Sequence, residues 1–209
     1  MRKMTRKRIE PFLQANASDM QVLDIGAGAT AYQRFFPHRT TLDIDPARNP
    51  DIVADAQELP FGNDMYDRIL CIDMLEHTLD PGKVIDECHR ILKPGGKLIF
   101  ATRFVYPFHD APGDYWRFTR SSLERIFSKF PSVEVMPEGS EMFTLGVLLQ
   151  RIVLQCDVRG GKVTKAFLLF LAWLCEHSEW LVSGRYGDIR RTVRVPEMMA
   201  SGYYIVARK

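Results

Sequence analysis

The segment DIGAGAT, residues 24–30 of this 209-residue chain, gives the most information about its fold. It ends an apolar run that begins at Val22, and such a run followed by glycines is typical of a buried parallel strand. Glycines at this point let the backbone approach a ligand closely, and the amides of a following helix attract a negatively charged group. By itself the pattern is not specific, because nicotinamide-binding domains have a similar one.

Outward from this stretch, short apolar runs alternate with helical segments, which predicts a doubly wound α/β fold. We expect a mostly parallel, seven-stranded sheet with helices on both faces and a helical insertion before the last strand. The expected strands cover residues 22–25, 40–44, 51–54, 67–72, 98–101, 133–135 and 203–206. The expected helices cover residues 2–16, 32–36, 81–92 and 119–129, and a turn is expected at residues 94–96.

Length favours a single domain over residues 1–209. We divide it into an N-terminal helix (1–19), a cofactor-binding core (20–140), a helical insertion (141–200) and the last strand (201–209). The insertion contains an amphipathic helix and a strongly apolar one, separated by Gly160 and Gly161. The apolar run at residues 167–174 is far shorter than the roughly 20 residues that a membrane-spanning helix needs, so we expect a buried or interfacial helix.

The net charge and the positions of the basic residues bear on the kind of partner that the protein binds. The net charge of +2 gives no argument for a nucleic-acid partner, and none is expected. Basic residues cluster near both ends of the chain, at Arg2, Lys3, Arg6, Lys7 and Arg8 and at Arg185, Arg190, Arg191 and Arg194. We interpret these clusters as solvated faces, and binding to an anionic headgroup or a phosphorylated substrate stays open.

The cysteines and the N-terminus bear on cellular location. None of Cys71, Cys88, Cys156 and Cys175 stands in a CxxC pair or at metal-ligand spacing from a histidine. This argues against a disulfide framework and a metal site. The basic N-terminus is interrupted by Glu10 and Pro11 and does not resemble a signal peptide. A cytoplasmic protein fits these features best.

Acidic residues follow two neighbouring strands of the predicted sheet. Asp43 ends the second strand, and a carboxylate there is spaced to accept two hydrogen bonds from a ribose diol. Asp45 competes for this role, and turn capping before Pro46 is an alternative for Asp43. Asp55 follows the third strand, where its carboxylate is placed to accept a hydrogen bond from an adenine amino group.

Three further segments complete an ordered set: YDRILC at residues 66–71, LEH at residues 75–77 and ILKPGGKL at residues 91–98. Over about residues 20–135 the set resembles the class I S-adenosylmethionine-dependent methyltransferases, and within them the small-molecule "type 11" subgroup. The resemblance implies a methyltransferase that uses S-adenosylmethionine and acts on a small-molecule, sugar or lipid acceptor.

The resemblance also implies roles for single residues. The cofactor contacts that it assigns are Asp24, Gly26 and Gly28 to the methionine part, Asp43 to the ribose, Ile44, Asp55 and Ala56 to the adenine, and Asp73 to the mouth of the methyl-transfer site. Two features depart from the family pattern. Ala29 and Thr30 stand where a third glycine is usual, and residues 46–50 are too few for the usual helix between strands two and three. The second departure leaves the adenine side of the pocket more open.

A loop at residues 103–119, RFVYPFHDAPGDYWRFT, leaves the carboxyl end of the fifth strand, where open α/β sheets bind ligands. Its polar and aromatic side chains indicate recognition. The substrate-contact candidates are Tyr106, Tyr115, Trp116 and Arg117. Two structural alternatives stay open: Trp116 covers the core, and Arg117 braces Asp114 or Glu124.

A hydroxyl or amine acceptor benefits from a general base. His109 is the first candidate, because an unperturbed histidine titrates near neutral pH, and His77 is the second. A structural role is the alternative for each of them.

Two other functions and two partners remain to be tested. A catalytically silent binding module would keep the same fold, and an NAD-dependent oxidoreductase would use Ala31 as the third position of its glycine loop. The segments around Asp55 and Pro94 have no role in an oxidoreductase. For the insertion, contact with a membrane surface and a homodimer interface both stay open.

Overall fold

The computed structural model describes residues 3–28, 32–182 and 198–209. Their contacts separate into two compact units. One, called here the helical unit, comprises Met1–Pro11, Phe104–His109 and Pro137–Gly202, and the other, the sheet unit, comprises Phe12–Arg103, Asp110–Met136 and Tyr203–Lys209. The prediction of one domain over residues 1–209, with its internal bounds, stays a prediction.

Seven strands form one sheet: β1 (Val22–Ile25), β2 (Arg39–Asp43), β3 (Ile52–Val53), β4 (Tyr66–Ile72), β5 (Leu92–Arg103), β6 (Ser132–Pro137) and β7 (Gly202–Arg208). Their order is β3-β2-β1-β4-β5-β7-β6, and the pairs from β3 to β5 are parallel. The N–H of Phe104 donates to the Ser201 carbonyl and that of Lys209 to the Gly96 carbonyl, both at 3.1 Å, so β5 and β7 run antiparallel. The predicted mostly parallel, seven-stranded α/β fold is confirmed.

Continuous apolar runs explain the central strands. All four residues of β1 are buried, and so are the last four residues of β4, Ile69 to Ile72. Strands covered on both faces have this pattern rather than an alternating one. Between β4 and β5 lies α2 (Pro81–Ile91), whose apolar face (Val84, Ile85, Cys88 and Ile91) is buried. Asp80 caps this helix by accepting from the N–H of Lys83 at 3.2 Å.

The predicted turn at residues 94–96 is wrong. Those residues lie inside β5, which begins at Leu92 and not at residue 98. Gly95 takes a left-handed conformation (φ 79°), and its N–H donates to the Lys209 carbonyl at 2.8 Å. The pairing between β5 and the end of β7 thus continues through the expected turn.

Two of the predicted helices are shorter in the structure. The expected helix at residues 32–36 is a 3₁₀ turn, Tyr32–Arg34, and α3 covers Arg120–Ile126 rather than residues 119–129. Thr119 caps α3, because its hydroxyl accepts from the N–H of Ser122 at 3.2 Å.

The helical unit contains α4 (Glu141–Gln155) and α5 (Gly161–His177), and α1 (Met4–Ala15) begins within it. Gly160, with φ 85°, separates α4 from α5 as predicted. The core of this unit consists of Met4, Tyr106, Phe143, Val147 and Ala172.

Most of the apolar side chains on α5 face solvent. Phe167, Phe170 and Trp173 are 58%, 55% and 51% exposed, and Ala172 is the buried residue of this helix. The expectation of a buried helix is therefore wrong, and the interfacial alternative remains. None of the described helices is long and apolar enough to span a bilayer.

The N-terminal basic cluster is partly neutralised. Lys7 lies 3.3 Å from the Glu176 carboxylate, and Arg8 is ion-paired with Glu179. Arg2 and the C-terminal cluster, Arg185, Arg190, Arg191 and Arg194, lie outside the described residues.

Candidate active site

A cavity of about 400 Å³ lies at the carboxyl ends of β1, β2, β3 and β4. Open α/β sheets bind ligands at this edge. Predicted site residues that line the cavity are Gly26, Asp43, Ile44, Asp55, Ala56, Asp73, His77 and Tyr115. All of the described residues that line the cavity belong to the sheet unit.

The glycine turn after β1 lies at the cavity, and Gly26 is part of the cavity lining. Gly26 has φ 68°, its N–H donates to the Leu42 carbonyl at 2.8 Å, and a Cβ on it would overlap the side chain of Met74. Gly28 has φ 50°, and a Cβ there would lie 2.8 Å from Nη1 of Arg48. Both positions therefore require glycine. Ala29 and Thr30, which stand where a third glycine is usual in the family, lie outside the described residues.

Asp43 lies next to this turn with its carboxylate buried. Oδ2 accepts from the N–H of Gly28 at 3.1 Å, and Oδ1 accepts from the N–H of Asp45 at 3.0 Å. Asp45 caps the 3₁₀ turn Pro46–Arg48 by accepting from Ala47 N–H at 2.9 Å. Turn capping thus falls to Asp45, and Asp43 faces the cavity, where each of its oxygens has a second lone pair.

The far wall suits a flat, mostly apolar group with a polar edge. Ile44 is 65% exposed, and both Ile44 and Ala56 line the cavity. Asp55 accepts from the backbone N–H of Gln57 at 2.9 Å and from the Gln57 side-chain amide. The short turn between β2 and β3 replaces a helix, as the sequence predicted, and Ile44 is exposed beside it.

Asp24 is placed differently. Its carboxylate is buried and ion-paired with Arg39 at 2.9 Å, and it is not among the described residues that line the cavity. Burial raises the pKa of Asp24 to about 7, although the neighbouring Arg39 guanidinium opposes the shift. Its predicted contact with the methionine part of the cofactor stays a prediction.

Sequence reasoning missed a buried polar cluster beneath Asp73. Nη2 of Arg103 donates to Oδ2 of Asp73 at 2.5 Å, and the Thr102 hydroxyl donates to Oε2 of Glu76 at 2.7 Å. Glu76 is fully buried, and burial together with the nearby Asp73 raises the pKa of its carboxyl to about 7. Among the described residues, neither Oδ1 of Asp73 nor Oε1 of Glu76 has a hydrogen-bond partner.

A weak signal for this cluster was present in the sequence. Glu76 belongs to the LEH segment that supported the family resemblance, and Arg103 is the first residue of the candidate substrate loop. What the sequence did not show is that both side chains turn inward and lie close to Asp73.

His77 and Tyr115 join the loop to the cavity. Nδ1 of His77 donates to the Gly113 carbonyl at 2.7 Å, so Nε2 is the basic nitrogen of the neutral ring. The backbone N–H groups of Tyr115 and Trp116 both donate to the Glu76 carbonyl, at 2.9 and 3.2 Å. These bonds tie the loop to the segment after β4.

Trp116 and Arg117 are not among the described residues that line the cavity. Nε1 of Trp116 donates to the Thr78 carbonyl at 2.9 Å, and its ring stacks on Phe118. Arg117 makes a bidentate ion pair with Asp114 at 2.6 and 2.7 Å, which is the bracing arrangement that the sequence left open. Their predicted substrate contacts stay predictions.

Tyr106 and His109 belong to the helical unit. Tyr106 is part of its core, with the Arg151 guanidinium 4.5 Å above its ring. His109 packs edge-on against Tyr106, and its Nδ1 donates to the Pro107 carbonyl at 3.2 Å. Neither is among the cavity-lining residues of the sheet unit, so a catalytic His109 and a substrate-binding Tyr106 stay predictions.

A family model matches the first two thirds of the chain. Residues 1–135 match a family model described as a methyltransferase domain, which covers well over half of the chain. The chain belongs to the methyltransferase-domain family. The resemblance found in the sequence is thereby confirmed at the level of the family. For this methyltransferase-family chain, the glycine turn and Asp43 lie within the matched region.

Curated relatives of the chain carry methyltransferase names. Proteins named ubiquinone biosynthesis O-methyltransferase are 32% identical over 108 residues in Pseudomonas syringae pv. tomato and 35% identical over 80 residues in Azotobacter vinelandii. These matches cover 43% and 38% of this chain and 47% and 33% of the relatives, so the methyltransferase-family chain spans at most about half the length of the curated relatives it matches.

Two solved structures share the fold at low identity. An S-adenosylmethionine-dependent methyltransferase from Archaeoglobus fulgidus has a TM-score of 0.58 at 17% identity, covering 99% of this chain and 92% of that one. Phosphoethanolamine N-methyltransferase 2 of Haemonchus contortus, in complex with S-adenosyl-L-methionine, has a TM-score of 0.55 at 16% identity, covering 98% and 52%. Both support the fold of this methyltransferase-family chain.

Proposed function

We propose that this protein is an S-adenosylmethionine-dependent methyltransferase that acts on a small-molecule acceptor. The observation that carries the proposal is the cavity in which a left-handed glycine turn meets the buried carboxylate of Asp43 at the ends of adjacent strands. The family membership of the chain supports the same activity.

The residues of the cavity fit the cofactor. Asp43 keeps acceptor capacity for two ribose hydroxyls, and Ile44 offers an apolar surface to an adenine ring. Asp55 supplies an acceptor for an amino group, and the carboxylates of Asp43, Asp55 and Asp73 suit a ligand that carries a positive sulfonium. When bound, S-adenosylmethionine supplies an electrophilic methyl group.

The work of the protein is then to align the acceptor and to take its proton. Relatives named O-methyltransferases favour a hydroxyl as the acceptor group. Through Nε2, His77 acts as the base that receives the hydroxyl proton, because its Nδ1 is held by the Gly113 carbonyl. Tyr115, half exposed at the cavity, contacts the acceptor.

Binding of S-adenosylhomocysteine tests the cofactor assignment. At 100 times its dissociation constant, the ligand stabilises the native protein by about 2.7 kcal/mol, which a thermal shift detects. We expect Asp43→Ala to lose most of that shift, and the exposed Asp19→Ala to keep it as the matched control. An unchanged shift in Asp43→Ala contradicts the assignment of Asp43, and no shift in the native protein contradicts the function.

Methyl transfer tests the reaction. Radiolabelled S-adenosylmethionine is incubated with a catechol, a hexose or a long-chain alcohol, which represent the three acceptor classes. We expect label in one of the three acceptors, and a His77→Gln variant that transfers roughly 100-fold more slowly while it binds S-adenosylhomocysteine normally. Binding without transfer to any acceptor would instead favour the catalytically silent module.

The helical insertion supports a further proposal about partners. The exposed rings of Phe167, Phe170 and Trp173 lie on one helix, and exposed apolar groups in such a cluster mark contact surfaces. We infer that α5 contacts either a second copy of this chain or a membrane surface.

A cytoplasmic location is proposed as well, because all four described cysteines are free thiols.

A further inference from the structure

Three cationic side chains form a row across the sheet, at the edge opposite the candidate active site. Arg68 lies near the start of β4, Lys97 in β5, and Arg208 at the end of β7. Arg68 and Lys97 are direct partners in the register of β4 and β5. The antiparallel hydrogen bond from Lys209 to Gly96 brings Arg208 beside Lys97. Side chains opposite one another on adjacent strands share one face of the sheet.

This basic row lines a cavity of about 140 Å³. The volume is roughly ten times what a single water molecule needs, so an ion larger than chloride fits. Backbone of Gly95 and Gly96 completes the lining near Lys97. The cavity lies wholly in the sheet unit, at the amino ends of β4 and β5.

No acidic group of the described chain neutralises the basic row. Neither Arg68, Lys97 nor Arg208 forms an ion pair within residues 3–28, 32–182 and 198–209. The carboxylate in the cavity lining, Asp67, is ion-paired with Lys93 at 2.8 Å. Nε and Nη1 of Arg68 are buried and have no hydrogen-bond partner in the described structure.

Such an arrangement is unfavourable without a ligand. Like charges directly opposite on neighbouring strands repel each other, and buried N–H donors that lack an acceptor cost free energy. Burial lowers the pKa of Lys97, and the nearby Arg208 and Arg68 lower it further, as expected for side chains that face one another. An anion in the cavity relieves the repulsion among the three cations.

We propose that the basic row binds a phosphate group, either as the free ion or as a monoester of a larger molecule. Three cations match the double negative charge of phosphate better than the single charge of a carboxylate. A guanidinium such as that of Arg68 is a side chain that commonly binds phosphate oxygens. This site is separate from the cofactor cavity, and the inference does not rest on the proposed methyltransferase activity.

Calorimetric titration with inorganic phosphate, at an ionic strength held constant with chloride, tests the proposal on the full chain. We expect saturable binding that Lys97→Gln weakens at least tenfold. The matched control is Lys129→Gln, which removes a lysine of the exposed pair with Asp86 and should bind as the native protein does. Phosphate at ten times its dissociation constant should raise the native melting temperature by about 3–6 °C.

Lys97→Gln is expected to fold, and in phosphate-free buffer to melt at or above the native temperature, because the repulsion is reduced. Glycerol 3-phosphate forms the second arm of the titration. Tighter binding of the ester than of inorganic phosphate identifies a phosphate carried by a larger molecule, and the reverse order identifies the free ion. Failure of both to bind, or equal affinities in Lys97→Gln and Lys129→Gln, overturns the proposal.

Discussion

At the scale of single residues, Glu76 makes the stability of the folded protein depend on pH. Its carboxyl is fully buried and its pKa is raised to about 7, mainly by burial and next by Asp73. An unfolded glutamate titrates near pH 4.3. Between these two pH values the folded protein keeps a proton that the unfolded chain releases, so stability falls as pH rises.

We predict that the free energy of unfolding decreases between pH 5 and pH 8, with Glu76 accounting for about 2 kcal/mol of the decrease. Buried Asp24, with a pKa also raised to about 7, adds a decrease of the same sign. Urea titrations of Glu76→Gln should show a shallower pH dependence than the native protein, whereas the exposed Glu58→Gln should keep the full dependence. Equal slopes in the two variants would count against a shifted Glu76.

Spacing after the predicted strands identified Asp43 and Asp55, and both line the cavity, as do Asp73, which the family resemblance implied, and the base candidate His77. It succeeded because carboxyl ends of parallel strands meet at one edge of the sheet. It did not identify the buried pairing of Asp24 with Arg39, since that contact depends on the register of β1 against β2. Nor did the aromatic content of the loop reveal that Tyr106 packs in a core with Phe143.

At the scale of elements, strands were easier to predict than their ends. The continuous apolar runs of β1 and β4 are visible locally, and both strands lie within a residue of the expected bounds. The start of β5 was missed because Pro94, Gly95 and Gly96 have the composition of a turn. Their partner is Lys209, which is distant in the sequence and gives no local signal.

For helix α5, the exposure of the side chains is what the sequence does not reveal. Its composition predicts burial, yet Phe167 and Phe170 are more than half exposed. We predict that the double variant Phe167→Ser, Phe170→Ser loses self-association in analytical ultracentrifugation, or loses co-sedimentation with phosphatidylcholine–phosphatidylglycerol vesicles. The loss should be at least fivefold, because two large apolar side chains leave the contact.

Ala166→Ser, an exposed change on the same helix, is the control and should behave as the native protein. The two measurements separate a second copy from a membrane as the partner of α5. A native protein that is monomeric and remains in the supernatant would rule out both.

At the scale of the whole molecule, the candidate active site and the helical insertion belong to different compact units. Within the described parts of the chain, every residue that lines the candidate active site belongs to the sheet unit, whereas α4 and α5 belong to the helical unit. We predict that S-adenosylhomocysteine slows amide hydrogen exchange in peptides covering residues 22–28, 42–57 and 73–79. Exchange through local fluctuations in α4 and α5 should change little. Both effects are measured by mass spectrometry after seconds to minutes of labelling. Equal slowing in both units would contradict a site confined to the sheet unit.

The 3₁₀ turn Pro46–Arg48 has a consequence for how the cavity fills. It holds Nε of Arg48 3.9 Å from the Asp43 carboxylate and its Nη1 beside Gly28. Arg48 thus serves as a tethered counter-ion, and an incoming ligand must compete with it for Asp43. Added salt weakens the attraction between Arg48 and Asp43 by screening. A charged ligand gains nothing from this, because its own attraction to Asp43 is screened as well. The affinity for an uncharged ribose should therefore increase with ionic strength.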